Sequence, residues 1–153
     1  MRIALYAPDI PQNTGTILRL AACFGVPIDI IGPAGFDASD RAFRRAGLDY
    51  LEHVAVERHI DFAAFDQARR QRRERLVLLT TKATASYLEF SYEPSDILLL
   101  GRESSGAPDA IHTAADARLK VPLRAGLRSL NVALAAAMVV GEAMRQTGAF
   151  ERL

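Results

Sequence analysis

Three polar clusters in this 153-residue chain fall at turns, and each carries residue types able to bind or orient a ligand. The first is Pro11-Gln12-Asn13-Thr14-Gly15-Thr16-Ile17-Leu18-Arg19, a polar opening to an apolar-periodic run with an arginine just inside it. The second is Gly101-Arg102-Glu103-Ser104-Ser105-Gly106, which follows the wholly apolar run Ile97-Leu98-Leu99-Leu100. Glycines at the carboxyl end of a strand let the backbone itself approach a ligand. The third is Val121-Pro122-Leu123 with Gly126-Leu127-Arg128-Ser129-Leu130-Asn131, ahead of a long helical stretch. Taken singly, each has a plainer use: Asn13, Ser129 and Asn131 as helix caps, Arg19 on a solvated face, Gly101 to Gly106 as a tight strand-to-helix turn. All three plain uses holding together is a rarer combination than any one alone.

The familiar alternatives are missing. The turn after the first apolar run is Ala7-Pro8-Asp9-Ile10-Pro11, with no Gly-x-Gly-x-x-Gly, and the second run ends at Ile31-Gly32 without an acidic residue for a ribose. A Rossmann-type nucleotide or methyl-donor site is not expected, and without Gly-Lys-Ser/Thr neither is a P-loop. His53, His59 and His112 are scattered with no zinc spacing to Cys23, so no metal site is expected and the histidines read as surface residues. There is no Gly-x-Ser-x-Gly elbow, and Cys23, in an apolar helix over 16–24, reads as core packing.

The elements that must position these clusters follow from hydrophobic periodicity. Strands are expected at Arg2–Ala7, Val26–Ile31, Val54–Val56 (weakly), Leu76–Leu79, Ile97–Leu100 and Arg118–Leu123. Helices are expected from Asn13 as a cap to a stop at Gly25, at Ala42–Leu48, at Phe62–Arg73 and from Leu130 to Thr147. The order β-α-β-α-β-α-β-β-α-β-α indicates an α/β fold, a mostly parallel sheet with helices on both faces, in a single domain over 1–153. The apolar runs 76–79 and 97–100 suit central parallel strands covered on both faces. No apolar run approaches the ~20 residues of a membrane span, and the N-terminus reaches Asp9 too soon for a signal peptide core. A single cysteine fits a reducing cytoplasm. Of the 19 basic residues all but Lys82 and Lys120 are arginine, which suits phosphate contacts but equally reflects a base-composition bias.

Asn13-x-Gly15-x-x-x-Arg19, Gly101-x-Glu103-x-x-Gly106 and Val121-Pro122-Leu123…Arg128-Ser129-Leu130-Asn131 resemble, in order and spacing, the three motifs of the SPOUT methyltransferases. With Arg44-Arg45-Ala46-Gly47-Leu48-Asp49-Tyr50 and Leu79-Thr80-Thr81-Lys82, the chain over residues 2–148 is similar to the small bacterial tRNA wobble-position 2′-O-methyltransferases. The resemblance implies a deep trefoil knot near the C-terminus, which general topology rules would argue against. It implies S-adenosylmethionine as methyl donor, held against Leu79, Thr80, Gly101, Glu103, Gly106, Val121, Leu123, Ser129 and Leu130, with no metal. It implies Arg19 and Asn131 as catalytic, and Asn13, Arg44, Arg45 and Arg128 as RNA contacts. The implied partners are the anticodon stem-loop of tRNA and a second copy of the chain through the last helix, with neither DNA nor membrane. The small apolar stripe Val132, Ala135, Ala136, Val139, Val140 and Ala143 is the expected dimer surface, placing Arg19 of one chain against the donor of the other. Three departures stand out: Ala133, Gly141, and Arg102-Glu103-Ser104-Ser105 where Pro-Glu-Thr-Arg is common.

Methyl transfer from a sulfonium to a ribose hydroxyl is an in-line displacement that needs alignment and loss of a very weakly acidic proton. An arginine stays protonated, so the role implied for Arg19 is electrostatic, with a phosphate taking the proton. Two other readings stay open at this point. One is another ribose in tRNA or rRNA. The other, of a different class, is a non-catalytic RNA-binding module built on the arginines at 41–45 and 69–75.

Overall fold

The computed structural model describes residues 1–36, 50 and 53–153. Six strands, β1 (Arg2–Tyr6), β2 (Ile28–Ile31), β3 (Val56–His59), β4 (Leu76–Leu79), β5 (Ile97–Leu100) and β6 (Ala117–Leu119), form one sheet. Every pairing is parallel, in the order β3-β2-β1-β5-β4-β6. Four α-helices accompany them: α1 (Pro11–Phe24), α2 (Phe62–Gln71), α3 (Asp109–Ala114) and α4 (Val132–Gln146). A 3-10 turn over Ala149–Arg152 follows.

Side-chain alternation sorts the sheet into two faces. Ile3, Leu5, Ile28, Ile30, Val77, Leu98 and Leu100 pack beneath α1 and α4. Ala4, Ile31, Leu76, Leu78, Ile97 and Leu99 pack against Phe65 of α2 and Ile111 of α3. β5 is buried at all four positions, as its unbroken apolar run requires. The expectation of a parallel sheet covered on both faces is met.

Several boundaries move, for identifiable reasons. β1 stops at Tyr6 because Ala7 takes a left-handed conformation (φ 44°) and turns the chain away. α1 begins at Pro11 with Ile10 as its N-cap, so Asn13 lies within the first turn and is no cap. It ends at Gly25 (φ 62°) as expected, but the amide of Val26 returns to the Ala21 carbonyl to close the helix, and β2 starts only at Ile28. β3 is Val56–His59 rather than 54–56. Edge position lets it run through Glu57, Arg58 and His59, opposite Asp29 to Ile31. α2 ends at Gln71, with Arg73 left-handed just beyond. β6 is Ala117–Leu119, because Lys120 exchanges hydrogen bonds with Ala85 and Tyr87 and so draws the chain off β4. α4 starts at Val132, capped by Asn131. α3 is the short helix that the alternation placed between β5 and β6 without bounds. The helix expected at 42–48 lies outside the described residues.

Two side-chain expectations are corrected. Cys23 is exposed, on the outer side of α1. His59 is no surface residue: its ring is buried and meets Asp29 at 2.8 Å. Asp29 is fully buried, and Arg2 engages both of its oxygens at 2.7 and 3.0 Å. This Asp29–Glu57–His59 group is the one place among the described residues where three ligand-type side chains converge within 4.8 Å. Arg2 already satisfies its central carboxylate, so it is a buried ion-pair network rather than an open donor set.

Candidate active site

The chain order reverses at the seam between β1 and β5: β1 leads by α1 to one side of the sheet, β5 by α3 to the other. In open α/β sheets a ligand crevice forms outside the carboxyl ends of the strands at such a switch point. A cavity of about 490 Å³ lies there, walled by the ends of β4, β5 and β6 and the starts of α1 and α4. That volume lies within the range of small-molecule sites.

Eleven of the residues expected around the site line this cavity: Asn13, Leu79, Thr80, Gly101, Glu103, Gly106, Val121, Leu123, Ser129, Leu130 and Asn131. They come from four separated stretches of sequence, so their convergence is a property of the fold. Arg19 and Arg128 are not among the lining residues, and Arg44 and Arg45 lie outside the described residues.

The loop after β5 is closed on itself. The Arg102 amide donates to the Gly106 carbonyl at 3.2 Å and the Gly106 amide to the Arg102 carbonyl at 2.7 Å. A Cβ at Gly101 would stand 2.6 Å from the Ala107 nitrogen, and Gly106 has φ 71°. Both glycines are required by this geometry: one by close approach, the other by its left-handed backbone.

One run of hydrogen bonds ties the three clusters together. Glu103 accepts from the Asp9 amide at 3.0 Å and from Asn13 Nδ2 at 3.2 Å. Asn13 Oδ1 accepts from Asn131 Nδ2 at 3.0 Å, and Asn131 Oδ1 accepts from the amides of Ala133 and Leu134 at 2.8 and 3.4 Å. The direction is fixed chemically. A carboxylate can only accept and helix amides can only donate, so neither asparagine amide can flip without losing a bond. Motif one, motif two and the start of α4 are thereby held as a unit.

Asp9 adds a second brace. Its Oδ2 accepts from Arg102 Nε at 3.1 Å and from the Ser104 hydroxyl, while Oδ1 is buried without a partner among the described residues. Burial pushes the Asp9 carboxyl up, but the hydrogen bonds from the Ser104 hydroxyl and Arg102, together with the Arg102 charge, hold the group below the usual carboxylate range. A Cβ at Gly35 would sit 2.8 Å from Asp9 Cβ and 3.3 Å from Arg102 Nη2, so the loop after β2 seats this pair. Asp9 and Gly35 were not expected at the site. No spacing marks either one, and only the fold brings residues 9, 35 and 102 together. Lys82, Lys120 and His112 also line the cavity, and His112 Nε2 is buried without a partner among the described residues. His112 is therefore half-buried at the site rather than a surface histidine.

Arg19 is exposed on α1. It lies six residues, about 600° of helix rotation, from Asn13, and so points about 120° away from the cavity. Its guanidinium stacks on the Tyr50 ring at 4.7 Å from the centroid. The small stripe on α4 also differs from expectation. Ala136, Val139, Val140 and Ala143 are buried in the core shared with α1, and Val132 and Ala135 face the cavity. The apolar side chains that α4 exposes are Leu134 (57%) and Met138 (42%), one turn apart.

The sequence of residues 1–141 matches the SpoU rRNA Methylase family. A tRNA (cytidine(34)-2′-O)-methyltransferase of Beijerinckia indica is 60% identical over 99% of this chain and 94% of its own. A solved structure described as concerning 2-OH methylation of C/U34 on tRNA superposes with a TM-score of 0.90. It is 40% identical and covers 95% of this chain and 94% of its own. A SpoU methyltransferase of Streptomyces viridochromogenes, solved with AdoMet, superposes with a TM-score of 0.85 at 26% identity, over 95% of this chain and 60% of its own.

Proposed function

The chain belongs to the SpoU rRNA methylase family, and from that premise we propose that it is a tRNA 2′-O-methyltransferase acting on the ribose of the wobble nucleotide, cytidine or uridine 34. The observation that carries this reading is the Glu103–Asn13–Asn131 run, which joins the three motif segments around one cavity. S-adenosylmethionine, when bound, supplies an electrophilic methyl group on a sulfonium.

The residues present suit that donor. Leu79, Leu100, Val121 and Leu130 offer apolar walls for a nucleobase, while Thr80, Lys82, Ser129 and Glu103 offer polar groups for its charged part. The required glycines at 101 and 106 let the loop backbone come close. Apolar residues serve as binding residues here because their amides and carbonyls face the crevice end of the strands. Asn131 and Ser129 hold the loop before α4 in place. Glu103 fixes Asn13 and the loop after β5.

Arg19 is the cation assigned to the acceptor ribose. It faces away from its own chain's cavity, so a complete site takes Arg19 from a second subunit. Leu134 and Met138, exposed on α4 beside the cavity wall, are the apolar contact offered to that subunit. Arg19 would hold the phosphate next to the reacting ribose and favour the developing alkoxide, with the phosphate receiving the proton. Arg44, Arg45 and Arg128 are assigned to the RNA backbone of the anticodon stem-loop. We further infer that residues 1–153 act as one domain containing the trefoil knot implied by the family. Among the described residues no helix is long and apolar enough to cross a membrane, and a tRNA substrate assigns the protein to the cytoplasm.

Mass-spectrometric mapping of 2′-O-methylated nucleosides, in tRNA incubated with purified protein and donor, tests the proposal. Methylation at nucleotide 34 is the expected result. Methylation confined to rRNA or to another tRNA ribose overturns the substrate, and RNA binding without methyl transfer overturns the enzyme.

A further inference from the structure

Seven of the fourteen described arginines are held by carboxylates, among them Arg2 by Asp29, Arg69 by Asp66, Arg75 by Asp96 and Arg102 by Asp9. Such a partner occupies the N–H fork and cancels the charge. Arg19 is held differently. Among the described residues no carboxylate lies within ion-pair distance of it, and its contact is the face of Tyr50, 4.7 Å from guanidinium carbon to ring centroid. A ring face engages the flat side of a guanidinium and leaves its in-plane donors and its full charge for an incoming anion. This is the arrangement required of a cation that must be aimed and yet remain unneutralised.

We propose that Tyr50 is a positioning residue for Arg19, fixing the guanidinium so that its N–H fork meets the RNA phosphate and the reacting ribose. This rests on the catalytic reading of Arg19 given above. The ring matters, not the hydroxyl: Tyr50 owes its role to a stacking face that phenylalanine also has. An arginine on a long flexible stem gives up rotamer freedom when it is fixed. The stack spends that entropy before substrate arrives, so its loss appears in the rate of transfer and not in donor affinity.

The test is single-turnover methyl transfer with radiolabelled S-adenosylmethionine and tRNA, on Tyr50→Phe, Tyr50→Leu, Arg19→Ala and the Tyr50→Leu/Arg19→Ala double variant. Donor affinity is measured by calorimetry and folding by thermal melting. Tyr50→Phe is expected to transfer within about twofold of the native protein. Tyr50→Leu is expected to lose about 2- to 30-fold in rate, the span of a cation–π contact from exposed to desolvated, with donor affinity unchanged. In the Arg19→Ala background, Tyr50→Leu should cause no further loss. An equal fold-loss in both backgrounds would make Tyr50 merely structural, and full activity of Tyr50→Leu would also overturn the inference. Full activity of Arg19→Ala would instead remove the catalytic reading beneath it. If Tyr50→Leu melts early, Tyr50→Phe against Tyr50→His at matched stability gives the same comparison of ring faces.

Discussion

Asn131 does two jobs that a single substitution can separate. Its Oδ1 caps α4 through the amides of Ala133 and Leu134, and its Nδ2 donates to Asn13. Asn131→Asp keeps the first and destroys the second. Aspartate caps a helix as well as asparagine does, and its charge suits the helix N-terminus. It also sets a carboxylate oxygen against Asn13 Oδ1, which cannot turn away because Asn13 Nδ2 is committed to Glu103. Asn131→Ala loses both: about 1 kcal/mol for the cap and about 1 kcal/mol for the hydrogen bond. For a chain of this size, that lowers the melting temperature by roughly 4–8 °C, at about 2–4 °C per kcal/mol. Asn131→Asp should melt about 1–4 °C below the native protein, because the loss of about 1.4 kcal/mol at Asn13 is partly offset by about 0.3–1 kcal/mol from the new charge at the helix N-terminus, at about 2–4 °C per kcal/mol. Its donor affinity and transfer rate should nevertheless fall by at least about tenfold, since the lost bond and the new acceptor–acceptor contact together exceed about 1.4 kcal/mol. The assay is differential scanning calorimetry alongside donor titration and methyl transfer. Native-like activity of Asn131→Asp would refute the claim that the Asn13–Asn131 link orders the site. A melting loss as large as that of Asn131→Ala would refute the cap.

Four further outcomes are expected. Arg19→Ala should bind donor normally and lose nearly all transfer. Heterodimers of Arg19→Ala with Asn131→Ala, isolated by two affinity tags, should regain up to about half the native rate through one intact composite site, whereas inactive heterodimers of folded subunits would confine the site to one chain. RNA affinity should fall with rising salt at a log–log slope of about −0.7 per phosphate contacted in single-stranded regions, and replacing Arg44 and Arg45 by alanine should reduce that slope and weaken all RNAs alike. The Asp9 carboxyl is held low in the folded state, so its stabilisation is complete above the ordinary carboxylate range and disappears as pH falls through its folded value. The melting difference between native protein and Asp9→Asn should therefore be constant from pH 7 to about pH 5 and shrink below about pH 4; a difference that persists at low pH would place the effect in shape rather than charge.

Legibility in the sequence followed the range of the interactions concerned. β4 and β5 were readable to the residue, because burial on both faces leaves an unbroken apolar run with polar residues outside it. β3 was not, since an edge strand tolerates Glu57, Arg58 and His59, and its pairing is dictated by β2 rather than by its own pattern. The end of β6 was set by distant partners, residues 85–87 for Lys120, whereas the start of α1 was set locally by the Ile10 carbonyl, which accepts from the amides of Asn13 and Thr14. At the site, glycines and asparagines were readable because turns restrict residue choice locally. Asp9, Gly35 and His112 were not, because nothing near them in sequence marks their roles. The small stripe on α4 was misassigned for a related reason. Small side chains permit close helix approach, but they do not say which helix approaches, and here α1 of the same chain takes that face.

The arginines show why a charge run is poor evidence for a nucleic-acid face. The densest run, 69–75, lies at the amino end of the strands, away from the cavity. Four of its five arginines bond to carboxylates, three of them supplied by other segments (Asp116 for Arg69, Glu57 for Arg72, Asp96 for Arg75) and one, Asp66 for Arg70, within α2. Arg69 is almost wholly buried and also bonds the Ala114 and Glu74 carbonyls, so it fastens α2 to the turn before β6. These charges cannot be offered to a phosphate without breaking the fold's own ion pairs, and the RNA-binding module loses that half of its basis. Among the described residues, cations without a carboxylate partner also lie outside that run. Arg124 and Arg128 are exposed in the loop before α4, Lys120 lines the cavity, and Arg19 projects from α1 on its tyrosine face. A polyanion is drawn to charge that is not already spent. The carboxyl-end loops of the sheet, where donor and acceptor must meet, therefore form the face on which RNA is expected to dock.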